Sequence, residues 1–114
     1  MKKDITIFLN HILESITLIE KYIDGVKEDQ FHMSTEKQDL AVRRLEIIGE
    51  ATKNLPTEFR EKYPDIPWKQ MAGMRDKISH QYFDIDYNIV WDTVKNMLPP
   101  LKKQIEEILR THKG

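Results

Sequence analysis

The feature that most constrains the fold is a run of apolar residues near the start of the chain, spaced alternately by four and three positions. Its members are Ile5, Leu9, Ile12, Ile16, Ile19, Ile23 and Val26. Residues at this spacing lie along one side of an α-helix, so the run predicts a helix over residues 3–27 whose apolar seam packs against other helices. Gly25 stands near its predicted end.

The composition narrows the classes of function open to this chain. Its 114 residues predict a single domain, 1–114, with one hydrophobic core. Charged residues make up 32% of the chain but nearly cancel, to a net charge of −1, so an anionic ligand requires a local basic patch. The sequence contains no long apolar run and no signal-peptide pattern, so a membrane protein is not predicted. The lack of cysteine fits a cytoplasmic protein.

A second helix is predicted to begin after a polar, turn-like segment at residues 28–34. Thr35 and Gln38 match a capping box, and Pro56 ends the helix. Gly49 costs about 1 kcal/mol relative to Ala inside a helix, so we expect it to let another helix approach closely. The residues expected to face the core are Leu40, Ala41, Leu45, Ile48, Ala51, Thr52 and Leu55.

The third predicted helix delivers the most reactive part of the chain. It follows a proline-rich connector at residues 56–67, in which one short turn is expected around Thr57–Lys62. Asp65 is expected to cap its N-terminus, with Pro67 in the first turn. The residues expected to face the core are Trp68, Met71, Met74 and Ile78.

The fourth predicted helix follows a short break at residues 84–86, which supplies a new N-cap. It runs to Pro99 and Pro100, and because the apolar stripe continues beyond them, we expect a kinked or restarted helix there. No strand pattern and no repeat is present in the sequence. The predicted fold is therefore all-α, an antiparallel helical bundle of four to five helices.

Five kinds of reactive side chain crowd into residues 74–84: guanidinium, carboxylate, amine, imidazole and phenol. Arg75, His80 and Tyr82 are therefore the candidate functional core. On a continuous helix Asp76 and His80 are near neighbours, whereas Arg75 and His80 point roughly 140° apart. Those two meet at one phosphate only if the arginine curls round, the helix is distorted or a second subunit contributes.

Each of these residues also has an ordinary structural interpretation. Arg75 alone would pair with Asp76 or another acid on the surface. His80 alone would satisfy the dipole at the end of a helix. Tyr82 alone would pack its ring and leave the hydroxyl at the rim. Spacing by itself leaves both interpretations open.

Metal and cofactor chemistry has little support in the sequence. The four histidines are far apart, and none forms a His-x-x-x-His or His-Glu-x-x-His pair. The glycines stand alone, so no phosphate-cradling loop is indicated. We therefore predict neither a metal ion nor a cofactor.

The run Arg75–Tyr82 resembles the R-x-x-x-x-H-x-Y motif of the HepT-like branch of the HEPN superfamily. Residues Arg44–Ala51 are similar to the second-helix signature of that family, and the resemblance covers nearly the whole chain. Asp76 stands where the family often has Asn, although Asp and His also occur there. The other matching segments are residues 68–75, 90–91 and 98–99.

The resemblance implies a HEPN-like fold and a metal-independent endoribonuclease. It further implies the toxin of a type VII-like toxin–antitoxin pair, acting as a homodimer whose two motifs line one cleft. The dimer interface is expected near the third helix and the start of the fourth. The partner would be a small nucleotidyltransferase antitoxin, which attaches AMP to Tyr82 and so silences the toxin.

The residue types suit cleavage of RNA without a metal ion. An imidazole moves protons near neutral pH, which gives His80 the acid/base role, with Asp76 orienting it. The guanidinium of Arg75 would stabilise the charge on the phosphate in the transition state. The RNA-binding candidates are Lys69, Arg75 and Lys77. Within residues 68–82 the only carboxylate is Asp76, so this stretch has a net charge of +2, which attracts RNA.

Two other classes of function remain open at this point. The bundle could be a non-catalytic module that docks a nucleotidyltransferase, or a nucleotide-binding domain in which Arg75 and Lys77 hold phosphates. Toxicity of the isolated gene favours the ribonuclease. Tight complex formation without cleavage favours the docking module.

Overall fold

The computed structural model describes residues 4–79 and 84–111, and the regular structure of these residues is helical. The helices are α1 Ile5–Ile23, α2 Glu28–His32, α3 Thr35–Lys53, α4 Thr57–Glu61, α5 Trp68–Ala72, α6 Met74–Ile78, α7 Tyr87–Asp92 and α8 Leu98–Thr111. A π-helical turn, Thr93–Met97, joins α7 to α8. The predicted all-α fold is confirmed. None of the described helices is both long and apolar enough to cross a membrane.

Helix α1 packs against α3 and α8 through the apolar seam that the sequence predicts. Asp4 caps its N-terminus, because its carboxylate accepts a hydrogen bond from the Thr6 N–H at 2.9 Å. Gly25 follows the last turn with a φ of 75°, a conformation that favours glycine and ends the helix. The buried members of the seam are Leu9, Ile12, Ile16, Ile19 and Ile23.

The segment expected to be a polar turn, residues 28–34, contains the short helix α2 instead. Phe31 is fully buried, and its ring centre lies 5.2 Å from that of Trp91 on α7. Burial of one aromatic ring stabilises this turn of helix against the core. A single buried position gives no periodic pattern, so the sequence did not predict the helix.

The N-cap of helix α3 lies one residue earlier than predicted. Ser34 is the N-cap, and its hydroxyl accepts a hydrogen bond from the Lys37 N–H at 3.2 Å. The predicted capping residue, Thr35, is the first residue of the helix, and the Gln38 side chain donates to the His32 carbonyl at 3.1 Å. The predicted core face is buried except for Leu40, which is half-buried.

Gly49 is where α3 meets α5 and α6. A Cβ atom at this position would lie 3.0 Å from the Met71 carbonyl oxygen and 3.3 Å from the Met74 Cβ. The expectation that Gly49 permits a close approach is therefore confirmed. Backbone contact at this point fixes the distance between α3 and the helices that carry the reactive stretch.

The third predicted helix is interrupted and starts later than expected. The short turn in the connector is present as α4, but Asp65 does not cap a helix, because α5 begins only at Trp68. The Trp68 indole N–H donates instead to the Tyr63 carbonyl at 2.9 Å. Gly73, with a φ of −90° and a ψ of 22°, then separates α5 from α6. The four predicted core residues of this region are buried.

Helix α7 has the N-cap that the sequence predicts. One carboxylate oxygen of Asp86 accepts hydrogen bonds from the N–H groups of Asn88 and Ile89, at 3.0 and 3.2 Å. Pro99 and Pro100 lie in the first turn of α8, directly after the π-helical turn. Because proline has no N–H to donate, the α-helical hydrogen-bond ladder cannot continue through this point. The expected irregularity at the prolines takes the form of this wider turn.

The ion pair between Lys102 and Glu20 joins α8 to α1. The ammonium of Lys102 donates to a Glu20 carboxylate oxygen at 2.7 Å, and this hydrogen bond raises the pKa of Lys102. Val94, in the π-helical turn that precedes α8, lines the same cleft as Ile23 at the end of α1. The ion pair therefore joins α8 to the C-terminal half of α1.

Ser15 offers a test of the packing around α1. It is fully buried, and its hydroxyl has no hydrogen-bond partner among the described residues. A buried hydroxyl without a partner is unfavourable, and Ala is the better helix former, so Ser15→Ala should stabilise the protein by about 1 kcal/mol. Chemical denaturation measures this. Thr52→Val is the matched control, because the buried Thr52 hydroxyl does donate to the Ile48 carbonyl at 2.7 Å, and it should give no such gain.

Candidate active site

Arg75 stands in the first turn of α6, and 78% of its side chain is accessible to solvent. Its nearest acidic neighbour is Glu46 on α3, with 3.7 Å between the Arg75 Nε and a carboxylate oxygen. That distance is too long for a hydrogen bond, and exposed ion pairs of this kind contribute little to stability. The guanidinium is therefore not sequestered by α3, and its fork can reach an anion.

The helix that carries Arg75 ends at Ile78, two residues before His80. Ser79 has an extended backbone, with φ −128° and ψ 144°, and its hydroxyl donates to the Arg75 carbonyl at 2.6 Å. The prediction of one continuous helix through Asp76 and His80 is therefore wrong. The angular relations drawn from that helix, including the 140° mismatch that favoured a dimer, no longer hold.

Two backbone contacts join residues 78–79 to residues 85–86. The Asp86 N–H donates to the Ile78 carbonyl at 2.7 Å, and Ser79 pairs with Ile85 as an isolated antiparallel bridge. The backbone at Ser79 and the backbone at Ile85 therefore run in opposite directions. The predicted site residues His80 and Tyr82 lie outside the described residues.

The three RNA-binding candidates are not gathered on one surface. Lys77 is half-buried, and its ammonium lies 3.6 Å from the Met97 sulfur in the π-helical turn. Arg75 contacts α3 instead, and Lys69 is exposed on α5. Asp76 is exposed in the first turn of α6. Of the predicted cations, Arg75 borders a groove in the described surface.

That groove lies between α3 and the α5–α6 pair, and we call it the α3 groove. Its volume is about 150 Å³, and its floor is the close contact at Gly49. Its lining residues are Arg43, Glu46, Gly49, Glu50, Lys53, Ala72 and Arg75. Three cations and two carboxylates therefore surround a small patch of backbone and methyl surface.

Sequence reasoning missed the contribution of Glu46 to this site. The available signal was Gly49, since a glycine that marks a close helix approach also indicates which face of α3 meets the reactive stretch. Glu46 precedes Gly49 by one helical turn on that side. A second missed feature is His32 on α2, which lines an open depression of about 390 Å³ together with residues 84–88.

Among residues 4–79 and 84–111, no three His, Asp or Glu side chains are arranged to hold a metal ion. The chemistry available in this part of the chain is therefore that of a guanidinium, several ammonium groups and scattered carboxylates. The fold and the site together define an all-α protein that presents an exposed arginine close to the backbone contact between Ile78 and Asp86.

Comparison with known proteins gives the family. The chain matches the family described as "Ribonuclease HepT-like" over residues 12–108. It is 45% identical over 106 residues to a candidate RNase of Caldanaerobacter subterraneus subsp. tengcongensis, covering 93% of this chain and 95% of that protein. It is 42% identical over 108 residues to a probable ribonuclease HepT of Thermococcus cleftensis, covering 95% and 98%. The chain therefore belongs to the HepT-like ribonuclease family.

One relative is longer. The chain is 54% identical over 109 residues to a Methanocaldococcus jannaschii protein named as a gamma-glutamylcyclotransferase and candidate RNase. The match covers 96% of this chain but only 49% of that protein, so the chain spans about half its length. No solved structure matches the chain. Membership of the family confirms the prediction of a HepT-like ribonuclease.

Proposed function

We propose that this chain is a metal-independent endoribonuclease toxin that cleaves RNA by attack of a 2′-hydroxyl on the adjacent phosphate. The observation that carries the proposal is the exposed guanidinium of Arg75, which lies inside the family match and next to the segment that holds His80. A cation held at this point can contact a phosphate oxygen directly.

The reaction needs two proton transfers and one charge stabiliser. A base removes the proton of the 2′-hydroxyl, and the oxygen forms a bond to phosphorus. The bond to the 5′-oxygen breaks, and that oxygen takes up a proton. The products are a 2′,3′-cyclic phosphate and a free 5′-hydroxyl. We assign the proton transfers to His80, the charge stabilisation to Arg75, and the orientation of His80 to Asp76.

A modified substrate tests this mechanism. An oligoribonucleotide should be cut by the purified chain, and replacing the nucleotide before the scissile bond by its 2′-deoxy form should abolish cleavage at that bond alone. The attacking group is then missing while the phosphate is unchanged. Equal cleavage of the deoxy substrate would refute the mechanism. RNA left intact by the protein, together with tight binding of a nucleotidyltransferase, would support the docking module instead.

Control by a partner is the second part of the proposal. A small nucleotidyltransferase antitoxin would transfer AMP from ATP to the Tyr82 hydroxyl, with release of pyrophosphate and of the hydroxyl proton, and so add bulk and negative charge near Arg75 in the sequence. The modified tyrosine would occupy the place of an RNA phosphate. Lys69 and Lys77 would contribute to RNA binding, and Lys77 more weakly than Arg75, because Lys77 is directed to Met97.

Co-expression with such a nucleotidyltransferase should raise the intact mass of the protein in AMP-sized steps. The gain should vanish in Tyr82→Phe and persist in Tyr22→Phe, a matched control because Tyr22 is an exposed tyrosine on α1. Neutralisation of the toxin with its mass unchanged would show that the partner acts by occlusion.

We also propose that the chain forms a homodimer, and this proposal rests on the family resemblance alone. Two copies joined by a two-fold axis would bring both motifs to one cleft. Light scattering at micromolar concentration should give twice the monomer mass. A fully active monomer would remove the dimer from the account.

A further inference from the structure

We propose that Arg43 on α3 is a second RNA-binding residue, which holds a backbone phosphate next to the one that Arg75 contacts. This rests on the ribonuclease function proposed above and extends its binding surface onto α3. The starting point is the α3 groove, because both arginines line it.

The helix geometry places Arg43 at the same end of the groove as Arg75. Arg43 precedes Glu46 by three residues, so the two are neighbours one turn apart, about 60° round the helix. Glu46 in turn lies 3.7 Å from the Arg75 Nε. One carboxylate is therefore adjacent to both arginines. The backbone contact at Gly49 fixes α3 against α5–α6, which keeps the two arginines in a constant relation.

The charges of the groove leave Arg43 available for a ligand. Glu46 is the acidic neighbour of Arg75, and Glu50 pairs with Lys53 at 3.5 Å. Within the part of the chain that the structure describes, Arg43 is exposed and forms no hydrogen bond or ion pair. An unpaired guanidinium keeps the planar fork that matches two phosphate oxygens.

The shape of the groove favours an RNA backbone over a small molecule. A volume of about 150 Å³ is well below that of ordinary small-molecule pockets. Among the described residues its apolar lining consists of Gly49 and Ala72, with no aromatic ring, so these residues offer no surface for stacking a base. Contacts here would therefore fix the position of the strand without reading its sequence.

Binding can be measured separately from cleavage on the full chain carrying His80→Ala, in which the RNA stays intact. Fluorescence anisotropy with a labelled single-stranded oligoribonucleotide should show Arg43→Ala binding about tenfold more weakly, because a charge-assisted contact is lost. The slope of log affinity against log salt should fall by about 0.7, the value for one phosphate contact to a single strand. Arg43→Lys should recover part of the affinity.

Arg110→Ala is the matched control, since Arg110 is an exposed arginine on α8 outside the α3 groove and should leave affinity and slope unchanged. Circular dichroism checks that each variant is folded, and Arg43→Gln replaces Arg43→Ala if the latter is not. Unchanged affinity in the folded variant, Arg43→Ala or its replacement Arg43→Gln, or an equal loss in Arg110→Ala, would overturn the proposal.

Cleavage kinetics separate this inference from the proposed function. With His80 present, Arg43→Ala should raise KM and leave kcat nearly unchanged, because the contact is made equally in the ground state and the transition state. RNA that binds through Arg43 but is never cut would refute the ribonuclease and keep the binding site. If Arg43→Ala cut RNA with an unchanged KM, the result would support the ribonuclease and refute the binding site at Arg43.

Discussion

Arg75→Ala is expected to lower the rate of RNA cleavage by about 10²–10³-fold while leaving the helical fold intact. The rate should fall because one preorganised charge stabiliser is removed from the transition state, a loss of the size seen for single oxyanion-hole donors. Stability should change little, since most of the Arg75 side chain is in solvent and its pairing with Glu46 is long. Single-turnover cleavage of an oligoribonucleotide and a thermal melt measure the two effects.

Arg75→Lys is the informative companion variant. Lysine keeps the positive charge but loses the planar fork, so its rate should fall between those of the wild type and Arg75→Ala. Arg110→Ala should cleave at the wild-type rate. If Arg75→Ala cleaved normally, the exposed guanidinium would be an ordinary surface charge and the assignment of the site would be wrong.

Gly49→Val is expected to destabilise the protein by about 2–3 kcal/mol, through overpacking against a backbone atom. Valine would place its branched side chain where even a Cβ atom already lies 3.0 Å from the Met71 carbonyl oxygen. Because a carbonyl in a helix cannot turn aside like a flexible side chain, α5 and α6 must move away from α3. Arg75 would move with them, so RNA cleavage should fall as well.

Gly73→Ala is the matched control for this prediction. A Cβ at Gly73 would meet its nearest neighbour, the Lys69 carbonyl oxygen, at 3.4 Å, an ordinary contact, and its φ of −90° suits alanine. The substitution should therefore be neutral or stabilising by about 0.5 kcal/mol, because it restricts the unfolded chain. A thermal melt would contradict the account if Gly49→Val unfolded at the wild-type temperature, or if the two variants lost equal stability.

The helical seams were predictable because many residues repeat the same signal. In α1, five buried positions from Leu9 to Ile23 follow one spacing, and errors at the ends do not alter the pattern. Gly49 was predictable for a related reason, since a glycine inside a strong helix requires a compensating contact. The short helix α2 was not predictable, because its packing depends on the single ring of Phe31.

The end of α6 was the most consequential error of sequence reasoning. Met74 and Ile78 have helical spacing, and nothing in the residues that follow forbids another turn. The Arg75 carbonyl accepts from both the N–H and the hydroxyl of Ser79, and the helix ends where the Ile78 carbonyl accepts from the Asp86 N–H. That second partner is eight residues away in the sequence, so local propensity contains no sign of it.

In the candidate site, too, the packing of the helices determines features that the local sequence does not. The exposure of Arg75 agrees with its predicted role, but the choice of Glu46 as its neighbour depends on how α3 crosses α6, which only packing determines. Likewise, the sequence groups Lys77 with Arg75, whereas the fold directs Lys77 to Met97 in the π-helical turn. Proximity along the chain therefore does not predict the surface on which the side chains of Arg75 and Lys77 lie.

The most direct test of the central claim is to identify the ends that the purified chain leaves on a defined oligoribonucleotide in excess EDTA. The account predicts cleavage that survives the chelator and fragments whose masses show a 2′,3′-cyclic phosphate on one side and a 5′-hydroxyl on the other. Both products should be absent with His80→Ala. Cleavage that stops in EDTA, or fragments that carry a 5′-phosphate, would contradict the mechanism.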